Sequence, residues 1–221
     1  MSTDIDITPE QVLRIALQTA RNQERFSPEI IQRLRQVNLV ISDPWTDELR
    51  ELFIDLLLVG HDAIPVFETL DQLDLFVPLL PEWKPARSRP QRNAYHRFTV
   101  DRHLLETAAE ASKLADRVDR PDLLVIGALL HDIGKPYPGD HTEVGMRLIG
   151  PIASRCGFAT EDAEVLSRLV EHHLLLPDIA TRRDLEDLQT IRTVAEKVRT
   201  VEFLELLAAL TEADSIATGP T

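Results

Sequence analysis

The stretch "DLLVIGALLHDIGK", residues 122–135, is the strongest indication of the architecture of this chain. Residues 123–130 are apolar on every side, and this pattern predicts a central helix that is buried all round. His131 and Asp132 follow where continued packing would favour Leu or Val. A helix end that carries two such side chains is expected to form the floor of a pocket between helices.

Two later stretches place polar side chains on helix faces that should be buried. In "EDAEVLSRLVEHHLLL", residues 161–176, the apolar stripe puts His173 near its centre and His172 at its edge. In "VEFLELLAALTEADS", residues 201–215, Asp214 falls on the apolar face. A lone buried carboxylate is costly or becomes protonated unless a cation meets it. A metal ion is the economical explanation for Asp214.

Imidazoles and carboxylates are concentrated in the second half of the chain. His103 and His141 join the residues above, and Cys156 is the single cysteine, so a thiolate cluster cannot form. Such a set suits a divalent metal, Mn, Fe, Zn or Mg, as one or two ions, because a carboxylate can bridge two ions.

Each histidine also has an ordinary structural explanation. His103 alone would more often be a surface or interface residue, and His141 could cap a helix in the loop-like "PYPGDHTEVG". His172 either supports a ligand or contacts a substrate. We interpret His61 and His96 as structural. Only the combination of inward-facing residues favours a metal site.

Lys135 has two possible roles. A lysine just after a helix is usually a solvated charge favoured by the helix dipole. Alternatively, the break at Gly134 lets Lys135 swing toward an anionic group, such as a phosphate, that the metal binds.

The composition limits the kind of protein. With 24 basic and 37 acidic residues among 221, the formal net charge is −13, which disfavours nucleic acid and anionic membrane as partners. The 43% of apolar residues can bury a real core. An acidic N-terminus unlike a signal peptide, the lack of a run long enough to span a membrane, and one cysteine, interpreted as structural, predict a soluble cytoplasmic protein.

Helix signals recur along the chain. Thr8 and Ser27 predict N-caps, a third helix should stop at Gly60, and a fourth begins near Pro65. Further helices are predicted over Val100–Val118, Pro121–Ile133, His141–Cys156, Thr160–Leu175, Leu185–Val198 and Val201–Ile216. Strand signals are nearly absent, so we predict an all-α fold. The predicted parts are a helical linker or scaffold over residues 1–80, a Pro/Arg-rich connection over 81–95 and a metal-binding helical domain over 96–221.

The order of the candidate ligands resembles a known signature. His103, then His131–Asp132 in "HDIGK", then a distant Asp214 is similar to the metal-binding pattern of the HD-domain phosphohydrolases over roughly residues 95–217. His141 and His173 resemble the additional ligands of the members that bind two metals. The resemblance implies a helical bundle that hydrolyses phosphate esters.

A closer resemblance covers most of the chain. The segments "DELRELFIDLLLVG", "LPEW", "RNAYHRFTVDRH", "ALLHDIGK", "GDHTEVG", "VEHHLLL", "ATRRDLED" and "LTEADSIATGP" are similar to the central region of the bifunctional PII uridylyltransferase/uridylyl-removing family. This implies hydrolysis of a nucleotidyl-tyrosine phosphodiester on the PII signalling protein. The family's nucleotidyltransferase and ACT regions have no counterpart in these residues, so we expect a fragment without glutamine control.

The resemblance also assigns roles. Asp132 and Lys135 are the expected catalytic residues, with His103, His131, Asp132, His141, His173 and Asp214 as metal ligands. Arg182 or Arg183 is expected to balance phosphate charge. Uridylyl and adenylyl substrates both stay open, as do two other functions: another HD activity on cyclic nucleotides, deoxynucleotides or guanosine tetraphosphate, and a docking module with a vestigial metal site.

Overall fold

The computed structural model describes residues 7–91, 97–184 and 186–219, and every regular element in this part of the chain is helical. The α-helices are α1 (Pro9–Arg21), α2 (Pro28–Leu34), α3 (Asp47–Leu58), α4 (Ile64–Gln72), α5 (Val100–Ser112), α6 (Pro121–Leu130), α7 (His141–Arg155), α8 (Thr160–His172), α9 (Leu175–Arg182), α10 (Leu188–Val198) and α11 (Val201–Thr218). Short 3₁₀ helices lie at Gly60–Ala63, Pro81–Trp83 and Ala115–Arg117. The all-α prediction is confirmed. Among the described helices, none has the length and apolarity that crossing a bilayer requires.

The caps read from the sequence are present. The Thr8 hydroxyl accepts a hydrogen bond from the Gln11 N–H at 3.3 Å, and the Gln11 side chain accepts one from the Thr8 N–H at 2.9 Å. These two bonds satisfy donors that a helix N-terminus otherwise leaves unpaired. Ser27 caps α2 through a single bond, in which its hydroxyl accepts from the Ile30 N–H at 3.3 Å. Gly60 follows α3 with φ +80, a conformation that glycine adopts at low cost.

Several predicted helix bounds were wrong. The helix predicted over Val100–Val118 ends at Ser112, and the one predicted to run to Ile133 ends at Leu130. The stretch predicted as one helix to Leu175 ends at His172, and α9 was not predicted as a separate helix. Helix α10 begins at Leu188, capped by Asp187, while the predicted start at Leu185 lies outside the described residues.

Helix α6 lies at the centre of the molecule, as predicted. Every residue from Leu123 to Leu130 is buried. Helices α3, α5, α8 and α11 all pack against it. An apolar helix surrounded in this way holds its C-terminal end in the interior, where His131 and Asp132 follow.

The N-terminal helices share the core of the rest of the chain. One continuous apolar cluster includes Leu13 of α1, Leu56 of α3 and Leu210 of α11. The proline-rich connection that follows α4 is ordered where it is described, because Trp83 and Ala86 are both buried. Residues 92–95 of that connection, and His96, lie outside the described part.

Candidate metal centre

Asp132 lies at the centre of a buried cluster of imidazoles and carboxylates. Its side chain is only 4% exposed, and its two oxygens face different groups of ligand-type residues. Oδ2 lies 3.1 Å from His131 Nε2, whereas Oδ1 lies 3.6 Å from His173 Nε2. Because a carboxylate can bind through both oxygens, this placement makes Asp132 the link between two groups.

The first ligand group consists of His103, His131, Asp214 and the Oδ2 side of Asp132. His103 Nε2 lies 3.0 Å from Asp214 Oδ1 and 3.7 Å from Asp132 Oδ2. His131 Nε2 lies 3.5 Å from Asp214 Oδ1. The three helices α5, α6 and α11 therefore bring residues more than a hundred positions apart into contact.

The second ligand group consists of His141, His173 and the Oδ1 side of Asp132. His141 Nε2 lies 3.7 Å from Asp132 Oδ1, and the His141 and His173 rings are 5.6 Å apart. His173 is buried, while the His141 side chain is 32% exposed. This group therefore lies nearer to the solvent than the first, and a substrate would reach it from there.

Two of the imidazoles are oriented by a hydrogen bond from Nδ1 to a backbone carbonyl. His131 Nδ1 lies 2.8 Å from the Ala128 carbonyl, and His173 Nδ1 lies 2.7 Å from the Val170 carbonyl. A carbonyl only accepts, so each ring donates from Nδ1 and turns Nε2 inward, and Nε2 is the atom that can bind a metal once it carries no proton. Both residues follow the last turn of a helix, where carbonyls are left without helical partners.

Glycines allow α7 to approach close enough to deliver His141. A Cβ atom on Gly134 would lie 2.7 Å from the Gly145 nitrogen, and one on Gly145 would lie 2.8 Å from Val170 Cγ1. Helices α7 and α8 therefore pack with little between them. The first residue of α7, His141, reaches Asp132 as a result. The N-terminus of α7 is fixed by Asp140, whose side chain accepts from the backbone of Thr142 and Glu143.

Charge interactions in the cluster outweigh the effect of burial on the pKa values of three of its residues. Burial alone would lower the pKa of His131, but the carboxylates of Asp132 and Asp214 outweigh burial and raise it to about 10. Burial opposes ionisation of those two carboxyls, yet the adjacent His131 cation holds both of their pKa values well below the usual range. Burial lowers the pKa of His173, with a smaller opposing effect from Asp132, so this imidazole is neutral.

Lys135 lies next to Asp132. Its ammonium forms an ion pair with Asp132 Oδ2 and donates a hydrogen bond to Gln91 Oε1 at 3.1 Å. The lysine thus contacts a candidate ligand directly. Gln91 was not predicted as a site residue, because it lies in the Pro/Arg-rich connection without a motif around it.

Other predicted residues lie outside this cluster. His172 packs edge-on against Phe203 at 6.3 Å, and it lines a separate cleft together with Arg182 and Arg183. His61 Nε2 lies 3.2 Å from carboxylates of both Glu106 and Glu110, in agreement with a structural role. His96 is outside the described residues.

The residues present fit a divalent cation. Asp132 Oδ1 and His173 Nε2 are buried at 3.6 Å, too far apart for a hydrogen bond, and neither has another hydrogen-bond partner in the described part of the chain. Buried polar atoms are nearly always satisfied, so two facing ligand atoms in this state indicate a group that lies between them. The donor set is nitrogen and oxygen, which suits Fe and Zn through the imidazoles and Mn and Mg through the carboxylates.

Comparisons with known proteins agree with this arrangement. The sequence profile of the family described as "HD domain" matches residues 100–219, which contain every candidate ligand. The bifunctional uridylyltransferase/uridylyl-removing enzyme of Streptomyces coelicolor is 49% identical over 212 residues, which cover 96% of this chain and 25% of that protein. The proteins of the same name from Mycobacterium tuberculosis and Ruegeria pomeroyi are 45% and 33% identical. The chain spans about a quarter of the length of these relatives.

Proposed function

The chain belongs to the HD-domain family, and on that premise we propose that this metal-dependent phosphohydrolase removes a nucleotidyl group from a tyrosine of the PII signalling protein. The observation that carries the proposal is the position of Asp132, with one oxygen toward His131 and the other toward His173. The similarity to uridylyl-removing enzymes over 96% of the chain supports the choice of substrate.

His103, His131, Asp132 and Asp214 would hold one divalent cation, and Asp132, His141 and His173 would hold a second. A bound cation of this kind lowers the pKa of water toward neutrality and neutralises charge on a phosphate. The chain's own contribution is to fix these donors before substrate arrives. The carbonyls of Ala128 and Val170 orient two of the rings, so little reorganisation accompanies binding.

Lys135 supplies the positive charge beside the cluster. Its side chain is 22% exposed and already paired with Asp132, so it can turn toward a phosphoryl oxygen without leaving the site. The leaving group is a tyrosine phenolate with a pKa of about 10, which needs less help from a general acid than an alkoxide does. The site therefore requires positioning and positive charge more than a proton donor.

The test is hydrolysis of purified uridylylated and adenylylated PII by the full chain, with and without Mn, Zn or Mg, together with elemental analysis. We expect release of UMP or AMP that depends on metal and is abolished in Asp132→Ala. Retained turnover by Asp132→Ala would refute the assignment.

The same experiment separates the other functions. Hydrolysis of a cyclic nucleotide, a deoxynucleotide or guanosine tetraphosphate, with both forms of PII left intact, would favour another HD activity. A chain that binds PII yet takes up no metal and releases no nucleotide would instead be a docking module. Either result would overturn the proposal.

A further inference from the structure

A cleft of about 620 Å³ lies beside the C-terminal end of α8. Thr142 and His172 both line it, and each is the sequence neighbour of a candidate ligand, His141 or His173. The Cα atoms of neighbouring residues are about 3.8 Å apart, so the cleft lies near the second ligand group, although none of the candidate ligands lines it. Its walls come from the end of α8, from α9 and from α10 as far as Lys197, and we call it the α8–α10 cleft.

The size and lining of the α8–α10 cleft fit a small polar molecule with one flat apolar face. Small-molecule sites usually enclose roughly 300–1,000 Å³. Leu174, Leu175 and Ile179 form the apolar part of the lining, and every other lining residue is polar or charged. Gln189 offers both a donor and an acceptor through its side-chain amide, and Thr193 offers a hydroxyl.

The charges in the cleft differ from those of the whole molecule. The chain carries a net charge of −13, but the cleft balances three acids against Arg182, Arg183 and Lys197. One of the acids, Asp187, is engaged as the cap of α10, because it accepts from the Gln189 and Thr190 N–H groups at 3.2 Å. An anionic ligand is therefore repelled less here than over most of the surface.

Resting on the proposed function, we propose that the α8–α10 cleft binds the nucleoside part of the nucleotidyl group while the phosphate faces the metal ligands. A base can lie flat on Leu174 and Ile179, and its polar edge and the ribose hydroxyls find partners such as Gln189 and Thr193. The tyrosine side of the phosphodiester does not match this lining, since an esterified tyrosine ring has no donor to offer and is attached to a folded protein.

The test measures nucleotide binding by the full chain, without metal, using UMP and AMP as probes in isothermal titration calorimetry. We expect saturable binding of at least one of them. The double variant Gln189→Ala/Lys197→Ala should raise its Kd at least tenfold. The matched control Gln32→Ala/Lys84→Ala changes the same residue types at exposed positions far from the cleft and should alter the Kd less than twofold.

A second measurement compares substrates. For the cleft variant, kcat/KM for nucleotidylated PII should fall at least ten times more than kcat/KM for bis(4-nitrophenyl) phosphate, which has no nucleoside. Equal losses, or binding of UMP and AMP that the cleft variant leaves unchanged, would overturn the inference, and so would the absence of saturable binding. Nucleotide binding in the cleft without any phosphodiester hydrolysis by the metal-loaded chain would overturn the proposed function alone.

Discussion

Gly134 lies so close to the backbone of His141 that a Cβ atom at position 134 would be 2.0 Å from the His141 carbonyl oxygen. No ordinary contact between carbon and oxygen is that short. The Cβ would be attached directly to the backbone and the oxygen is a backbone atom, so neither atom can rotate away. The identity of residue 134 therefore controls the position of His141 and, through it, the second ligand group.

Gly134→Ala should force the start of α7 away from Asp132. We expect the free energy of unfolding to fall by about 1–3 kcal/mol or more, the usual range for overpacking. We also expect His141 to move away from the other candidate ligands. Urea denaturation measures the first effect and elemental analysis the second. Gly150→Ala is the control, because a Cβ there meets nothing within 4 Å apart from its chain neighbours. It should change stability far less than Gly134→Ala, since the gain from replacing a helical glycine is opposed by the contact of the new Cβ with the following Pro151. Equal stability of the two variants would contradict this account.

Asp132→Ala and His141→Ala should differ in the metal they retain. Asp132 contributes to both ligand groups, so its removal should abolish specific metal binding, whereas His141→Ala leaves the first group complete. Elemental analysis after dialysis measures the ratio of metal to protein, and circular dichroism should show unchanged helix content. Asp116→Ala, at an exposed position, is the control. Loss of all metal in both variants would show that the two groups act as one site.

Metal binding should release about one proton, from His131. Because its pKa is raised to about 10, His131 is protonated at pH 7.5 in the metal-free chain, and it must lose that proton to act as a ligand. Metal affinity should therefore rise with pH up to about 10. In the metal-free chain, the stability that this cation contributes is fully present below about pH 6.5 and is lost as pH rises through about 10.

Calorimetric titration of the metal in buffers of different ionisation enthalpy measures that proton. The neutral His173, whose pKa burial lowers, should add nothing to the count. An observed enthalpy that does not depend on the buffer would contradict the prediction.

Lys135→Met should impair hydrolysis while leaving metal in place. A hydrogen bond between charged groups is worth about 1.5–3 kcal/mol, so we expect kcat/KM to fall roughly 10- to 150-fold. Lys84→Met, at an exposed position on the ordered connection, is the matched control and should retain activity. If Lys135→Met also loses metal, the lysine acts by holding Asp132 and not by contacting substrate.

Cys156 should be chemically inert in the folded chain. Burial raises the pKa of its thiol to about 12, and the thiolate is the reactive form. Ellman's reagent at pH 8 should therefore detect almost no thiol in the native protein and one per chain in guanidinium chloride. Rapid reaction of the native protein would show that the apolar packing around this residue opens readily.

Helical periodicity predicts two of the inward-facing polar residues, but it places His103 at the edge of its stripe, whereas His103 is buried. It put His173 in the apolar stripe and Asp214 on the buried face, and both lie beside the pair at the end of α6. It also placed His172 at the edge, where it faces the cleft and not the cluster. These predictions succeed because a helix fixes the direction of each side chain from local sequence alone.

What the sequence did not reveal depends on packing between helices. The break between α8 and α9 follows His173, whose ring bonds to the Val170 carbonyl, and no turn signal precedes it. The approach of α7 to Gly134, and the contact of Lys135 with Gln91, likewise join segments far apart in sequence. Spacing along one helix carries no information about such contacts, so the α8–α10 cleft could not be anticipated.

The N-terminal helices hold the far end of α7. The backbone N–H of Trp45 donates to the Arg155 carbonyl at 2.8 Å, and the Arg50 guanidinium donates to the Gly157 carbonyl at 2.6 Å. Contacts therefore fix α7 at both ends. These two hydrogen bonds lie at its C-terminal end, and the close approach to Gly134 lies at its N-terminal end. A truncated chain that starts near residue 96 would lose the hydrogen bonds from Trp45 and Arg50. It would also expose the sides of α5 and α6 against which α3 packs. The smallest portion of this chain that can be expressed as a stable catalyst thus includes the helices that carry no chemistry.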